Sequence, residues 1–230
     1  QTSRNMDGWY YDFDVTVDGK TRHTADPYAK ACGVNGNRSM VIDLQKTNPE
    51  GWETDKAPEA GAEQVIYELH VKDFSWDPKG GFAGQDRGKF TAFLRSGTTL
   101  NGDGKHATGL DYLKALGVTH IQLMPVYDYG SVDETNWENG YNWGYDPVNY
   151  NVPEGSFSTD PYHGEVRVRE LKEMIQHLHK EGFRVIMDVV YNHTFVNDSW
   201  LERTVPGYYY RQKPDGTPSN GSGCGNDMAS

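Results

Sequence analysis

The side chains best suited to catalysis lie in the segment DVVYNH, residues 188–193. Asp188 follows the apolar run VIM, which is typical of a buried strand, and His193 comes five residues later. A strand and the loop after it can bring a carboxylate and an imidazole to one rim, where they stabilise charge at a reacting centre. Alternatively, Asp188 caps a turn and His193 is a surface loop residue, and the spacing alone slightly favours this alternative.

A second candidate is the aromatic segment YNWGYDP, residues 141–147. Its glycine and its Asp-Pro pair argue against a helix interior or a central strand, so a loop is predicted. The ring of Tyr145 could stack on the apolar face of a sugar while Asp146 binds sugar hydroxyls. A compact loop packed by its own rings explains the same residues, and the two interpretations stay equal at this point.

Two further groups carry weaker signals. Glu68, His70 and Asp73 alternate across a predicted strand, and His70 could reach its rim, although a hydrogen-bonded core histidine is more common. The segment NGDGK (101–105) is faintly similar to a calcium loop. It lacks the carboxylate spacing and terminal Glu of an EF-hand, so a plain turn is predicted.

Composition excludes several classes of function. The 230 residues carry a net charge of -11 without a basic run, which argues against a nucleic-acid surface. No apolar stretch approaches the roughly 20 residues that span a bilayer. The first residues show no basic-then-apolar signal pattern, and secreted and cytoplasmic locations both stay open. Cys32 and Cys224 could pair, but two free thiols are the simpler expectation.

Periodicity predicts the elements that position these residues. Alternation over 10–24 around Asp18-Gly19 predicts a β-hairpin, and 40–44 reads as another short strand. Beyond a turn-rich linker, strands and helices alternate, which is typical of βαβ units and a parallel sheet. The predicted ranges are strand 64–71, helix 109–117, strand 118–126, a loop of about forty residues, helix 165–182 and strand 183–190, with no clear element afterwards.

Ligands of such sheets bind beyond the carboxyl ends of the strands, and in barrels the loops at that end form the active site. The aromatic segment follows strand 118–126, and DVVYNH begins within strand 183–190. Both candidates are therefore expected at the face where ligands bind.

These motifs also resemble those of a known family. YNWGYDP is similar to the heptapeptide of type I pullulanases, and DVVYNH resembles the first shared region of the α-amylase superfamily, glycoside hydrolase family 13. NGSGCGND (220–227) resembles a further pullulanase stretch. TADPYAK (24–30) and VIDLQKTNPEGW (41–52) resemble the end of the starch-binding-type module that precedes the barrel in these enzymes. The heptapeptide is highly specific, whereas DVVYNH alone indicates only the superfamily.

The resemblance implies an α/β fold: the N-terminal part of a (β/α)8 TIM barrel, its first three βα units, preceded by the end of a β-sandwich carbohydrate-binding-type module. The module with its linker would span 1–60 and the barrel part 61–230. The implied activity is hydrolysis of α-1,6 branch bonds in pullulan, amylopectin and limit dextrins by a retaining mechanism. No cofactor is required, no metal ligand is assigned, and calcium binding is left open.

The resemblance also implies a role for each site residue. Tyr145 would stack on the sugar at the cleaved side, with Asp146 beside it, and His193 would hydrogen-bond that sugar. Asp188 would hold a downstream arginine. The remaining substrate-binding residues would be Tyr141, Trp143 and Asn192.

A retaining glycosidase needs two carboxylates about 5–5.5 Å apart. The family carries its nucleophile Asp on the fourth barrel strand and its acid Glu on the fifth, and both positions would lie beyond residue 230. The chain is therefore expected to be one piece of a longer polypeptide, inactive alone and with apolar sheet edges exposed. A non-catalytic glucan-binding fragment and an isoamylase or branching enzyme are the alternatives.

Overall fold

The computed structural model describes residues 3–229. Its N-terminal part contains four short strands in two antiparallel pairs: β1 (Tyr10–Tyr11) with β4 (Ser39–Met40), and β2 (Phe13–Val17) with β3 (Lys20–Thr24). Asp18 and Gly19 both have positive φ, 50° and 73°, as a two-residue hairpin turn of this hand requires. The predicted hairpin is confirmed.

The strand predicted over 40–44 is wrong beyond its first residue. Strand β4 ends at Met40, and a 3-10 turn begins at Leu44. The side chain of Asp43 accepts a hydrogen bond from the backbone N–H of Gln45, which starts that turn.

The remaining helices and strands follow in chain order. They are β5 (Ile66–Leu69), α1 (Val71–Ser75), α2 (Gly109–Ala115), β6 (His120–Leu123), β7 (Tyr127–Tyr129), β8 (Pro147–Pro153), α3 (Gly164–Lys180), β9 (Arg184–Met187) and α4 (Trp200–Thr204). Among residues 3–229, no helix is both long and apolar enough to cross a bilayer.

Strands β5, β6 and β9 form one parallel sheet in that spatial order. Helix α3 presents Met174 and Leu178 to the sheet, where they join Ile121 and Leu123 of β6 in the main core. The 3-10 helix Phe90–Leu94 completes this core. The predicted parallel sheet with its helical crossovers is confirmed.

Part of the sheet is uncovered in this chain. Ile66 and Tyr67 of β5 and Met187 of β9 are exposed. These residues lie on the outer strands, each of which pairs with only one described neighbour. The prediction of exposed apolar sheet edges is confirmed.

The segment between strand β6 and helix α3 is not the unstructured loop that was predicted. Strands β7 and β8 pair antiparallel within it, with Tyr127 opposite Pro153 and Tyr129 opposite Pro147. Prolines lie at both ends of β8, where a missing N–H costs least. Because proline argues against a strand, β8 was not predicted from the sequence. Helix α4 was also missed, because it is only five residues long.

The N-terminal part packs closely on helix α3. A Cβ added to Gly164, the first residue of α3, would lie 2.3 Å from the carbonyl oxygen of Cys32, so only glycine permits this approach. Lys172 of α3 donates hydrogen bonds to Leu44 O and Thr47 Oγ1, both at 2.8 Å. Cys32 is buried and Cys224 exposed, and both are free thiols, as expected.

Candidate active site

The two motifs singled out from the sequence meet at the carboxyl end of the parallel sheet. Tyr145 Oη donates a 2.8 Å hydrogen bond to Asp188 Oδ2, and His193 Nε2 donates a 2.8 Å hydrogen bond to the carbonyl oxygen of Tyr145. Asp188 immediately follows β9, and its N–H continues the sheet ladder to Leu123 O. An aromatic ring, a carboxylate and an imidazole are thereby brought together.

The alternative that His193 is a surface loop residue is wrong. His193 is only 8% exposed, and its own carbonyl oxygen accepts a hydrogen bond from Tyr150 Oη. His193 Nδ1 lies 3.2 Å from Asn192 Oδ1, which places Asn192 beside the imidazole.

The direction of the hydrogen bond between Tyr145 and Asp188 follows from acidity. Burial, and then the neighbouring Asp188 carboxylate, raises the pKa of Tyr145 to about 12. The phenol is therefore neutral around pH 7 and must be the donor. The ring is tethered at its tip and lines an open cleft.

Tyr141 and Trp143 are the exposed rings of the aromatic segment 141–147, which is called the aromatic loop below. Tyr141 Oη donates to Asp73 Oδ2 at 2.6 Å, and Trp143 is 60% exposed. With Tyr67 and Tyr145 they line an open cleft of about 670 Å³. Exposed flat rings around a cleft suit the apolar faces of a polar ligand.

Asp146 does not join the other predicted site residues. Its Oδ2 accepts a 2.5 Å hydrogen bond from Ser131 Oγ, and its carbonyl oxygen accepts from Gly130 N–H. Partial burial raises the pKa of this carboxyl. Asp146 thus ties the aromatic loop to the turn after β7 in this structure.

Two residues hold the start of the aromatic loop: His70, which is the hydrogen-bonded core histidine that was the commoner expectation, and Lys72, which sequence reasoning missed. His70 is buried and its Nε2 donates to the carbonyl oxygen of Asn142 at 2.9 Å. Lys72 Nζ donates to the carbonyl oxygens of Trp137, Glu138 and Gly140. The only sequence signal for Lys72 was the segment HVKD, where three polar side chains follow strand β5.

The predicted plain turn at NGDGK is confirmed. The Asp103 carboxylate accepts hydrogen bonds from the backbone N–H groups of Lys105 and His106 and so closes that turn.

Comparison with known proteins agrees with this geometry. The family profile "Alpha amylase, catalytic domain" matches residues 86–220, more than half of the chain. The chain belongs to the alpha-amylase family. The expected TIM-barrel superfamily is thereby confirmed, whereas the division into a β-sandwich module and three βα units stays a prediction.

Within the alpha-amylase family, the chain is similar to pullulanases. It is 41% identical over 229 residues to a pullulanase of Bacillus subtilis, covering 98% of this chain and 31% of that protein. A crystal structure of Paenibacillus barengoltzii pullulanase with maltohexaose and alpha-cyclodextrin superposes with a TM-score of 0.94 at 48% identity, over 99% of this chain and 36% of that one. The resemblance to type I pullulanases is confirmed. The chain spans about a third of these relatives.

The chain is also similar to an isoamylase, at lower identity and over less of its length. Rice chloroplastic isoamylase 3 is 29% identical over 189 residues, covering 74% of this chain and 22% of that protein. The similarity to isoamylase is therefore weaker and covers less of the chain.

A buried ionic network is formed by Asp128, Glu134, Glu154 and Arg167. No sequence motif predicted it. The Arg167 guanidinium donates to both Glu134 oxygens at 2.9 and 2.8 Å and lies 3.6 Å from Asp128 Oδ1. Glu154 is also fully buried, and burial together with Glu134 holds the pKa of its carboxyl well above the usual range. The network joins helix α3 to the β7–β8 hairpin and, through Asn35, to the N-terminal part.

The carboxylates of this network are the candidate ligands for calcium among the described residues. Oxygen atoms of Asp128, Glu134 and Glu154 lie within 4.8 Å of one another, and carboxylates are the ligands that calcium prefers. Arg167 already places a positive charge among them and donates to both oxygens of Glu134. The donor type is compatible with calcium, but the position taken by the guanidinium fits an internal ion-pair network better than a calcium site.

The network predicts an unusual dependence of stability on pH. Burial, and then the neighbouring Glu134, raises the pKa of Asp128 from 3.8 to about 7. Between those values the folded protein keeps a proton that the unfolded chain releases, so the free energy of unfolding falls as pH rises from about 4 to 7. Asp128→Asn should remove a decline of up to about 1.4 kcal/mol per pH unit, measured by urea unfolding at pH 5, 6 and 7.

The matched control is Asp133→Asn. Hydrogen bonds from Thr135 lower the pKa of Asp133, which lies shortly after β7 and caps the 3-10 helix Glu134–Asn139. This variant should keep the decline of the wild type. An Asp128→Asn variant with the same pH profile as the wild type would contradict the assignment.

Proposed function

We propose that this chain is the substrate-side part of a starch-debranching glycoside hydrolase that cleaves α-1,6 bonds in pullulan, amylopectin and limit dextrins by a retaining mechanism. The observation that carries the proposal is the junction of two motifs at one rim, where Tyr145 bonds Asp188 and His193 bonds Tyr145. The similarity to pullulanases along the whole chain supports it.

In this proposal each side chain acts on a neutral sugar. The Tyr145 ring stacks on the sugar at the cleaved side, and its tether to Asp188 sets the ring angle. His193 and the neighbouring Asn192 hydrogen-bond that sugar and stabilise the oxocarbenium-like transition state, for which His193 Nε2 exchanges its bond to the Tyr145 carbonyl for one to the sugar. Trp143 and Tyr141 form the wall of the cleft. Asp146 supports the aromatic loop through Ser131, which replaces the direct sugar binding expected from the sequence.

The proposal places the bond-breaking carboxylates outside this chain. A retaining mechanism needs a nucleophile and an acid about 5–5.5 Å apart. In the family these lie on later barrel strands, so the rest of the polypeptide is the partner that completes the site. Asp188 would hold an arginine of that part, and the mechanism requires no cofactor.

We further propose a domain division at residue 60. Residues 1–60 would be the end of a β-sandwich starch-binding-type module with its linker, and 61–230 the first three βα units of a TIM barrel. The two antiparallel strand pairs before residue 41 and the parallel order β5, β6, β9 support this division.

Two other functions compete with this proposal. A non-catalytic glucan-binding fragment would use the same rings without cleavage. An isoamylase or branching enzyme would share the fold, but YNWGYDP and the weaker similarity to isoamylase 3 favour a pullulanase.

The test is hydrolysis of pullulan and of glycogen by the complete polypeptide that contains this chain, followed by reducing ends and product size. We expect maltotriose from pullulan and much slower cleavage of glycogen. Faster cleavage of glycogen would favour the isoamylase alternative, and binding of both polymers without hydrolysis would favour the non-catalytic one.

A further inference from the structure

We propose that Lys72 is a positioning residue for glucan binding, which holds the start of the aromatic loop so that Tyr141 and Trp143 form the wall of the cleft. This inference rests on the proposed function. It assigns a role to a buried lysine that makes no contact with the Tyr145–Asp188–His193 junction in this structure.

The first argument is the completeness of the lysine's hydrogen bonding. An ammonium group has three N–H donors, and Lys72 Nζ uses them on the carbonyl oxygens of Trp137, Glu138 and Gly140 at 2.9, 3.0 and 2.7 Å. Lys72 is 7% exposed, so water does not substitute easily for these bonds. Charge-assisted hydrogen bonds of this kind are the stronger ones in proteins.

The second argument is the place of those carbonyls in the chain. They lie at the end of the 3-10 helix Glu134–Asn139, where the Trp137 carbonyl also accepts a hydrogen bond from the N–H of Gly140. Tyr141 follows directly. A positive charge at this end fixes where the aromatic loop leaves the helix.

The third argument is the aromatic packing around the ammonium. Nζ lies 4.4 Å from the ring centroid of Trp76 and 5.4 Å from that of Trp137. The two rings meet edge to face, with centroids 5.3 Å apart. Both rings therefore restrict the lysine as well as the helix that it holds.

Different residues hold the start of the aromatic loop and the ring of Tyr145. Lys72 and His70 hold its start, up to Asn142, while Asp188 and His193 hold Tyr145. Loss of Lys72 should loosen Tyr141 and Trp143 and leave the anchor of Tyr145 intact. Binding of the substrate should then weaken more than the chemical step.

The experiment compares Lys72→Met with the wild type in the complete polypeptide, with pullulan as substrate. Lys72→Met removes the Lys72 donor from the Glu138 and Gly140 carbonyls and leaves the Trp137 carbonyl with the N–H of Gly140 alone. This loss should raise KM about tenfold or more and lower kcat less than about threefold. Lys72→Arg keeps the charge and several donors and should bring KM within about threefold of the wild type. Lys72→Gln, which keeps part of the donors, should lie between them and serves if the Met variant does not fold.

Lys172→Met is the matched control. Lys172 Nζ also donates to three oxygens, of Leu44, Thr47 and Asn48, and lies 5.6 Å from the ring centroid of Trp52, away from the aromatic loop. Its loss should lower stability and leave KM unchanged. If Lys72→Met and Lys72→Gln behave in the same way, with unchanged KM, Lys72 only stabilises the fold and the proposal is overturned.

Amide hydrogen exchange separates this inference from the proposed function. Peptides that cover 137–146 should exchange faster in Lys72→Met than in the wild type, and those that cover 200–210 should not change. This result supports the positioning role even if the wild type fails to cleave pullulan, in which case the proposed function alone is wrong. Unchanged exchange over 137–146 would overturn the positioning role whatever the activity.

Discussion

Tyr145→Ala is expected to lower kcat/KM for pullulan about 100-fold, equivalent to about 2.7 kcal/mol of transition-state stabilisation. The substitution removes both the ring proposed to stack on the sugar and the donor that bonds Asp188 at 2.8 Å. The backbone carbonyl that accepts from His193 remains, so the loop keeps one anchor. Steady-state kinetics of the complete polypeptide on pullulan measure the effect.

Two further variants distinguish the contribution of the Tyr145 ring from that of its hydroxyl, and from the effect of removing any exposed aromatic side chain. Tyr145→Phe keeps the stacking surface and loses one hydrogen bond, so a loss below about tenfold is expected. Tyr208→Ala removes a highly exposed ring outside the site and should leave kcat/KM unchanged. Equal losses for Tyr145→Phe and Tyr145→Ala would mean that the hydroxyl, and not the ring, contributes the binding energy.

Arg167→Met is expected to produce the largest loss of stability, about 3–5 kcal/mol. The substitution leaves Glu134, Asp128 and Glu154 buried without their positive charge. The loss should be larger at pH 8 than at pH 5, because protonation of the carboxyl groups relieves the repulsion at low pH. Urea unfolding at the two pH values measures both quantities.

Arg203→Met provides the comparison. Arg203 pairs at 2.7 Å with Asp198, whose side chain is largely exposed, and such surface pairs contribute about 0–1 kcal/mol. A loss of similar size in Arg167→Met would show that the buried network reorganises without cost.

Periodicity was enough to predict the parallel sheet. The apolar positions of helix α3 and the branched residues of β6 and β9 repeat with the spacing of buried elements, and tertiary packing agrees with them. The β7–β8 hairpin could not be predicted in this way. Strand β7 has only three residues, β8 begins and ends with proline, and the N–H of Tyr129 in β7 donates to the buried Glu154 carboxylate.

The candidate site was only partly accessible from the sequence. The motifs brought Tyr145, Asp188 and His193 to one face, because residues after neighbouring parallel strands share an edge of the sheet. The side-chain direction of Asp146 was not predictable, since it depends on Ser131 from a distant turn. The same holds for Lys72 and Arg167, whose partners lie far along the chain and leave no local pattern.

The measurement that tests the central claim most directly is maltotriose release from pullulan by the 230-residue chain alone and with the polypeptide that completes the barrel. We predict no hydrolysis by the chain alone and hydrolysis once the remaining polypeptide is supplied, because the nucleophile and the acid are proposed to lie there. Maltotriose release by the chain alone would contradict the account, since carboxylates within residues 1–230 would then carry out the chemistry.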